Sequence, residues 1–455
     1  VTSARQGRAG LAAALAALAL SGCMAPGTRQ ADQEGQGLVA ATRQAFGFLS
    51  PGDTAAPEPD AAALDPELTD GSQSEIIAGL LARRSVLGPG PLRDVSDAVL
   101  AANARTAEAE LRAATLRSEA AERNWLPRVG PVVSLTSLGD VASSMLLDAV
   151  LFDHGARTAG REYARADVEV AAVALAEDTN TRVMTALELY IEAEAARGRA
   201  AVTEGALEQM RRFDFVMQER VTAGISDRAD LSYVGQKLSR MRADLEADRE
   251  VARTALAELQ AMAAQPVSGL SGLSTVGPAP AGGESLKVTK ARAEAVRATA
   301  QARLTRAEQL PGVTAGSRLS GGGMESGVTA GGEGGLGLGT RATLRAIEAA
   351  EEAAQREVAL AREDAARRQG QLSGRMDAAL RRAEEAAQIA AQARQTWELT
   401  REQFDAGRRG VSETVSVFES MVRAEREAVT LAHEAVALRA RLAADAGVLV
   451  DGEKL

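Results

Sequence analysis

Two stretches of the chain repeat their apolar side chains every seven residues. Leu231, Leu238, Leu245, Ala252 and Leu259 form one stripe, with Val234, Met241, Ala255 and Met262 in the intervening d-type positions. Val415, Val422, Val429 and Val436 form the other, flanked by Val411, Phe418 and Ala432. An apolar period of 3.5 residues predicts helices lying side by side in a coiled coil. Each stripe follows a long Ala-rich tract free of proline, and proline is absent between Pro131 and Pro266 and beyond Pro311. Because proline ends helices, this spacing predicts two long helices, over 157–222 and 341–406, spanning roughly 99 Å each. Breaks at Gly224 and Gly407 lead into return helices over 227–262 and 411–446.

The segments ahead of the long helices have a different period. Val129 to Phe152 fits two strands of about ten residues around a turn at Gly139-Asp140, a length suited to a tilted membrane-spanning strand. Met145, Leu147, Ala149 and Leu151 alternate with positions that include Asp148, the apolar-out, polar-in dyad of a transmembrane barrel. The corresponding second segment, Gly312 to Gly339, holds twelve glycines. In it Val328, Ala330, Leu336 and Leu338 share one face, and Glu333 lies on the other.

Sliding the chain against itself shows an internal repeat. Leu126-Pro127 recurs as Leu310-Pro311, a shift of 184 residues, and Ala223-Gly224 recurs as Ala406-Gly407, a shift of 183. Arg157 and Arg341 open the two long tracts in the same register, and Leu259 and Leu442 keep it near the ends. Such a period marks two copies of one supersecondary unit. The first copy is assigned to 92–264, with its hairpin at 128–156, and the second to 285–450, with its hairpin at 312–340. A linker over 265–284 joins them and 451–455 is a tail. Pro51, Pro57, Pro59, Pro66, Pro89 and Pro91, among many Ala, Gly and Asp, predict an irregular extension over 23–91.

Composition narrows the functional classes. Aromatic residues make up 3% of the chain, and it holds one Cys and two His. That set offers no thiol–histidine pair or structural zinc site, so no catalytic residue, cofactor or metal is assigned. A formal net charge of −10 argues against nucleic acid. Arg5 and Arg8 precede an apolar run from Ala9 to Leu20, which reads as a signal peptide over 1–22 and is too short to span a bilayer. Leu20-Ser21-Gly22-Cys23 follows and resembles the lipobox of bacterial lipoproteins, in which Cys23 is acylated.

The order of helix, Leu-Pro, hairpin ending Leu151-Phe152-Asp153-His154-Gly155-Ala156-Arg157, long helix, Gly break and return helix, made twice, resembles the TolC-type outer-membrane factor family. Phe404-Asp405-Ala406-Gly407, Val411-Ser412 and the closing Ala446-Gly447-Val448-Leu449 add to the likeness. The family usually has Gly where this chain has His154, which is read as a turn residue. The resemblance implies a mainly α protein with a small membrane β-barrel: a homotrimer closing twelve strands in the outer membrane above a periplasmic helical tunnel. It implies a passive exit duct for efflux or type I secretion, working with a periplasmic adaptor and an inner-membrane pump. Most of the chain would then lie in the periplasm, held to the outer membrane by lipid as well. On the same ground Gly224, Ile225, Ser226, Gly407, Val411 and Ser412 are expected to meet the adaptor. Asp230, Arg409 and Glu413 are expected to gate the tunnel; the pattern departs at Phe404, where the family can have an aromatic hydroxyl that assists the lock, and at Ser416, where it has a second acidic ring, so a weaker latch with one carboxylate ring is expected. The alternative is a lipid-anchored periplasmic coiled-coil adaptor or scaffold, which should show one helical hairpin flanked by β-rich domains rather than two.

Overall fold

The computed structural model describes residues 74–102, 106–137, 140–280, 284–320, 323–331 and 339–454. Cys23, the signal segment, and Glu333, Leu336 and Leu338 of the second hairpin lie outside them. Helices α1 (Glu75–Leu81), α2 (Pro91–Leu100) and α3 (Thr106–Glu122) lead into strands β1 (Arg128–Ser137) and β2 (Asp140–Phe152). Long helix α4 (Ala156–Thr222) and return helix α5 (Arg228–Met262) follow. The order then recurs as α6 (Leu286–Glu308), β3 (Gly312–Ser320), β4 (Gly323–Gly331), α7 (Thr340–Asp405) and α8 (Val411–Asp445). The chain is thus mainly helical with one small antiparallel sheet.

That sheet joins the two halves. Its order is β1-β2-β3-β4, and every pair is antiparallel. Arg128 stands opposite Asp148, Asp148 opposite Gly316, and Arg318 opposite Glu325, which fixes the face on which each side chain stands. The β2–β3 pairing links segments far apart in sequence, and both outer strands end the sheet with open edges.

The helices pack as a layer with α4 in the middle. It contacts α3, α5, α6 and α8, whereas the main packing partners of α7 among the described residues are α6 and α8. Burial follows: α4 buries 27 residues and α7 five. The heptad stripes face inward, with Val234, Leu238, Met241, Leu245 and Leu259 of α5 and Val415, Phe418 and Val422 of α8 all buried.

Residues 74–91 correct the expectation of an irregular extension up to 91. Ser74 caps α1 through its hydroxyl, and Ile76, Ile77 and Leu80 are buried. Pro91 opens a helix instead of ending one, because the first helical position has no use for an N–H. Between α1 and α2 the chain forms a strap, with Val86 N donating to Val448 O at 3.0 Å and Gly277 N to Val86 O at 2.8 Å. Arg83 donates to Ala446 O at 2.8 Å, and burial pulls its guanidinium below its ordinary value. The segment read as a linker is held against α4 as well: Val267 and Val276 are buried, and the Tyr190 hydroxyl donates to Gly272 O at 2.8 Å. Even 451–454 is docked, with Asp451 accepting from Ser85 N at 2.8 Å and from Arg93 at 3.0 Å.

Candidate functional site

The two ends of the long helices are built from different chemistry. At one end, α4 and α7 both stop at a glycine in the left-handed region, Gly224 at φ +74° and Gly407 at φ +71°. Gly224 N donates to Val221 O and Ile225 N to Arg220 O, while Gly407 N donates to Phe404 O and Arg408 N to Gln403 O. Both are Schellman ends, which satisfy the last carbonyls of the helix and reverse the chain. Asp227 caps α5 from its side chain, and Thr414 Oγ1 donates to Gly410 O at 2.8 Å at the start of α8.

These two turns form the tip. Ile225 is 68% exposed, Ser226 half-buried and Ser412 exposed. Val411 differs from the others expected to meet a partner, since it is buried in an apolar cluster with Val415 and Phe418. Phe404 belongs to that cluster too. Its ring lies edge-on to Phe213 at 5.5 Å, close to Trp397 and Phe418, so it is a packing residue beneath the tip. Arg409, in the turn ahead of α8, donates to Gln403 Oε1 at 2.6 Å and pairs with Glu413 in the first turn of that helix. Asp230 is half-buried in the first turn of α5, where the helix dipole favours a carboxylate, and has no ion-pair partner among the described residues. The chain does not bring Asp230 and Arg409 into contact.

Just above the tip lies a polar seam between α5 and α8 that the sequence reading missed. The Tyr233 hydroxyl meets Ser416 Oγ at 3.3 Å, and Lys237 Nζ donates to Glu419 Oε2 at 2.7 Å. Higher up, Asp248 is 5% exposed, accepts Arg199 Nε at 2.8 Å and pairs with Arg426, whose guanidinium also donates to Thr203 Oγ1 at 2.6 Å. Tyr233 and Ser416 are separated by 183 residues, the shift of the repeat itself. Pairing each α5 position with its counterpart one shift later would have found this contact.

At the other end the sheet has one apolar face that nothing among the described residues covers. Val129, Met145, Leu147, Leu151, Leu319, Met324 and Val328 are each between 41% and 68% exposed. The register puts all of them but Leu151 on one side, opposite the side of Asp148, and Leu151 falls at an irregularity in the β2–β3 pairing. His154 closes this end at φ +52°, with its Nε2 3.1 Å from Pro311 O and its ring edge-on to Phe152. No helix among the described residues is long and apolar enough to cross a membrane. Among those residues there is also no group of three or more His, Cys, Asp or Glu placed to hold a metal ion.

No protein-family model matches the chain, and no curated protein matches it in sequence. Solved structures do match it. A membrane protein from Pseudomonas aeruginosa superposes with a TM-score of 0.70 at 16% identity, over 89% of this chain and 97% of that one. The outer membrane protein VceC from Vibrio cholerae gives 0.66 at 16% identity, over 86% and 99%. The CmeC outer membrane channel from Campylobacter jejuni gives 0.66 at 10% identity, over 88% and 94%. At such identities the likeness is one of fold. This chain has the fold of bacterial outer-membrane channel proteins of the TolC type, over nearly the whole length of each.

Proposed function

We propose that this chain is one protomer of a trimeric outer-membrane channel, the exit duct of a tripartite efflux or type I secretion system. The observation that carries the reading is that both layers of the protomer end open in the same order around it. The sheet leaves β1 and β4 unpaired at its two edges, and in the helix layer α7, which packs on α6 and α8, buries only five of its residues. An open strand edge in lipid leaves N–H and C=O groups unsatisfied, so a sheet with one apolar face needs to close on copies of itself.

A ring of copies satisfies both layers at once. β4 of one protomer pairs with β1 of the next, and the bare side of α7 meets the next protomer's α3 and α5. The sequence repeat supports this, because α4 already makes the corresponding contacts inside the protomer. Family resemblance selects three copies and hence twelve strands, a number within the range of bacterial barrels. The exposed apolar face then forms the lipid-facing band, and the α4–α5 and α7–α8 turns point into the periplasm.

On this reading Cys23 is lipidated and tethers the chain to the outer membrane. The tips around Gly224, Ile225, Ser226, Gly407 and Ser412 meet the periplasmic adaptor of an inner-membrane pump. Asp230, Arg409 and Glu413 line the periplasmic entrance, where three copies of Glu413 around a narrow axis attract cations. The experiment is light scattering of the detergent-purified protein together with conductance in planar bilayers. A trimer that conducts is the expected result. A stable monomer, or a trimer that never conducts under conditions that open the tips, overturns the proposal.

A further inference from the structure

Away from the turn residue Asp140, each of the four strands carries a single charged residue, namely Arg128 in β1, Asp148 in β2, Arg318 in β3 and Glu325 in β4. The register puts all four on one face, because Arg128 pairs with Asp148, Asp148 with Gly316, and Arg318 with Glu325. That face is the one opposite the exposed apolar side chains. Charge therefore alternates from strand to strand, plus, minus, plus, minus, at two adjacent levels about 7 Å apart along the strands. Between the charges the wall carries Gly130, Gly316 and Gly327 beside Thr314 and Thr329, with Leu146 and Val150 of β2 on the same face. A Cβ on Gly316 would stand 2.9 Å from Asp148 Oδ1, so the carboxylate lies across a bare stretch of wall.

We propose that these four residues form a self-neutralising charge belt lining the barrel, which makes the membrane portion of the duct indifferent to the sign of small polar cargo. The inference rests on the trimeric channel reading. Closure of three copies continues the alternation around the ring, since Glu325 on β4 is followed by Arg128 on the next protomer's β1. Each charge then has opposite charges on both neighbouring strands, and strands stand about 4.8 Å apart. At 0.1 M salt the Debye length is about 10 Å, so a passing ion meets both signs within one screening length and the net field in the lumen is small. The belt is polar enough to hold water against the wall, yet it repels neither cations, anions nor zwitterions. Selection by charge is left to the acidic entrance.

The test is the permeability ratio of potassium to chloride in planar bilayers at low salt, where screening is weakest. Arg128→Gln with Arg318→Gln leaves six acids in the trimer and is expected to raise the ratio at least threefold over the parent. Asp148→Asn with Glu325→Gln leaves six bases and is expected to lower it by a similar factor. Arg318→Glu with Glu325→Arg keeps the sum of charge and the attraction between β3 and β4, though not the alternation with β2, and is expected to leave the ratio within about 1.5-fold of the parent. Opposite shifts from the two neutralising pairs, with a silent swap, support the belt. If conducting variants shift in the same direction or not at all, the belt is wrong and the channel stands. If neutralising variants fail to assemble, the exchanged pair decides, because a conducting swap that changes the ratio as much as a lost charge overturns the proposal. A parent protein that never conducts overturns the channel reading and the belt with it.

Discussion

Replacing Asp248 by Ala is expected to lower the thermal midpoint by about 4 °C through the loss of one carboxylate. Asp248 sits in the seam where α4, α5 and α8 meet, 5% exposed, with Arg199 on one oxygen and Arg426 on the other. Without it two guanidinium groups remain in the seam with no counter-charge. Breaking a buried pair typically costs about 3–5 kcal/mol. The two arginines retain side-chain exposures of 21% and 23%, so water recovers part of the loss and about 3 kcal/mol is the appropriate figure. At about 2.1 cal/mol/K per residue, a cooperative unit of roughly 380 residues unfolds with an entropy near 0.8 kcal/mol/K, which gives the 4 °C shift. Circular dichroism of the detergent-solubilised protein at one fixed scan rate measures it, because large assemblies unfold irreversibly. The charge-free triple variant Arg199→Met, Asp248→Leu, Arg426→Met is expected to recover most of the loss, since a buried ion cluster is often replaced by apolar groups without penalty. A shift below 1 °C in Asp248→Ala, or a triple variant as damaged as the single one, would refute the reasoning.

Asn180 is buried and bonds both Ala176 O and Leu449 N, so Asn180→Leu leaves the Leu449 N–H unpaired and should cost about 1–3 kcal/mol in the same melting assay. Burial, and then the Glu194 carboxylate, hold the Tyr190 hydroxyl protonated well above the ordinary phenol value. Ultraviolet titration should therefore show one of the three tyrosines ionising only as the protein unfolds, and Tyr190→Phe should remove that late step. Lys290 has its pKa raised, chiefly by its hydrogen bond to Glu177 against an opposing effect of burial. Its contribution is fully present below the unfolded value of about 10.4 and fades as pH rises through the raised folded value. The stability gap between the parent and Lys290→Met should be flat to about pH 10 and shrink above it, remaining under about 1 kcal/mol because the pair is partly exposed.

The helical architecture is legible in the sequence because its signals are local and redundant. Proline-free tracts, seven-residue stripes and two glycine breaks all state the same helices, and the alternation from Met145 to Leu151 states a strand. What was not legible depends on distant contacts. Nothing local to 312–331 says that β3 pairs with β2 and not only with β4. The prolines before α2 suggested irregular chain, but Pro91 is a first-turn residue, and the strap around Val86 is fixed by the linker and the chain end, which no nearby residue specifies. Phe404 and Val411 matched family positions at the tip, yet packing against Phe213 and Phe418 takes their side chains inward. Asp248 did leave a trace. The d-type series Val234, Met241, Ala255 and Met262 skips one position, and that position is 248. A charge inside an apolar stripe is a signal for a buried ion cluster that fixes register.

The seam and the tip together divide the helical end into a part that stays and a part that yields. Asp230 and Asp248 lie on the same helix, 18 residues or about 27 Å apart. At Asp248 three helices are joined by buried charge and several hydrogen bonds, and at Lys237 and Glu419 two helices are joined by a pair whose side chains are about a fifth exposed. At the tip the only pair among the proposed gate residues is Arg409 with Glu413, between the turn and the first turn of α8, with Glu413 58% exposed. Exposed pairs of that kind contribute about 0.3–0.5 kcal/mol and tie no element to another. Polar ties between the α4–α5 and α7–α8 hairpins therefore thin out towards the turns, where the apolar cluster of Phe213, Trp397, Phe404 and Phe418 joins them instead. On the channel reading, force applied at the turns has to strip this apolar contact before it reaches the Asp248 cluster. Among the proposed gate residues no ion pair joins the two hairpins of one chain. On the trimeric reading proposed above, the charges that hold the entrance shut come from neighbouring copies, and Asp230, which has no ion-pair partner among the described residues, is placed to meet them.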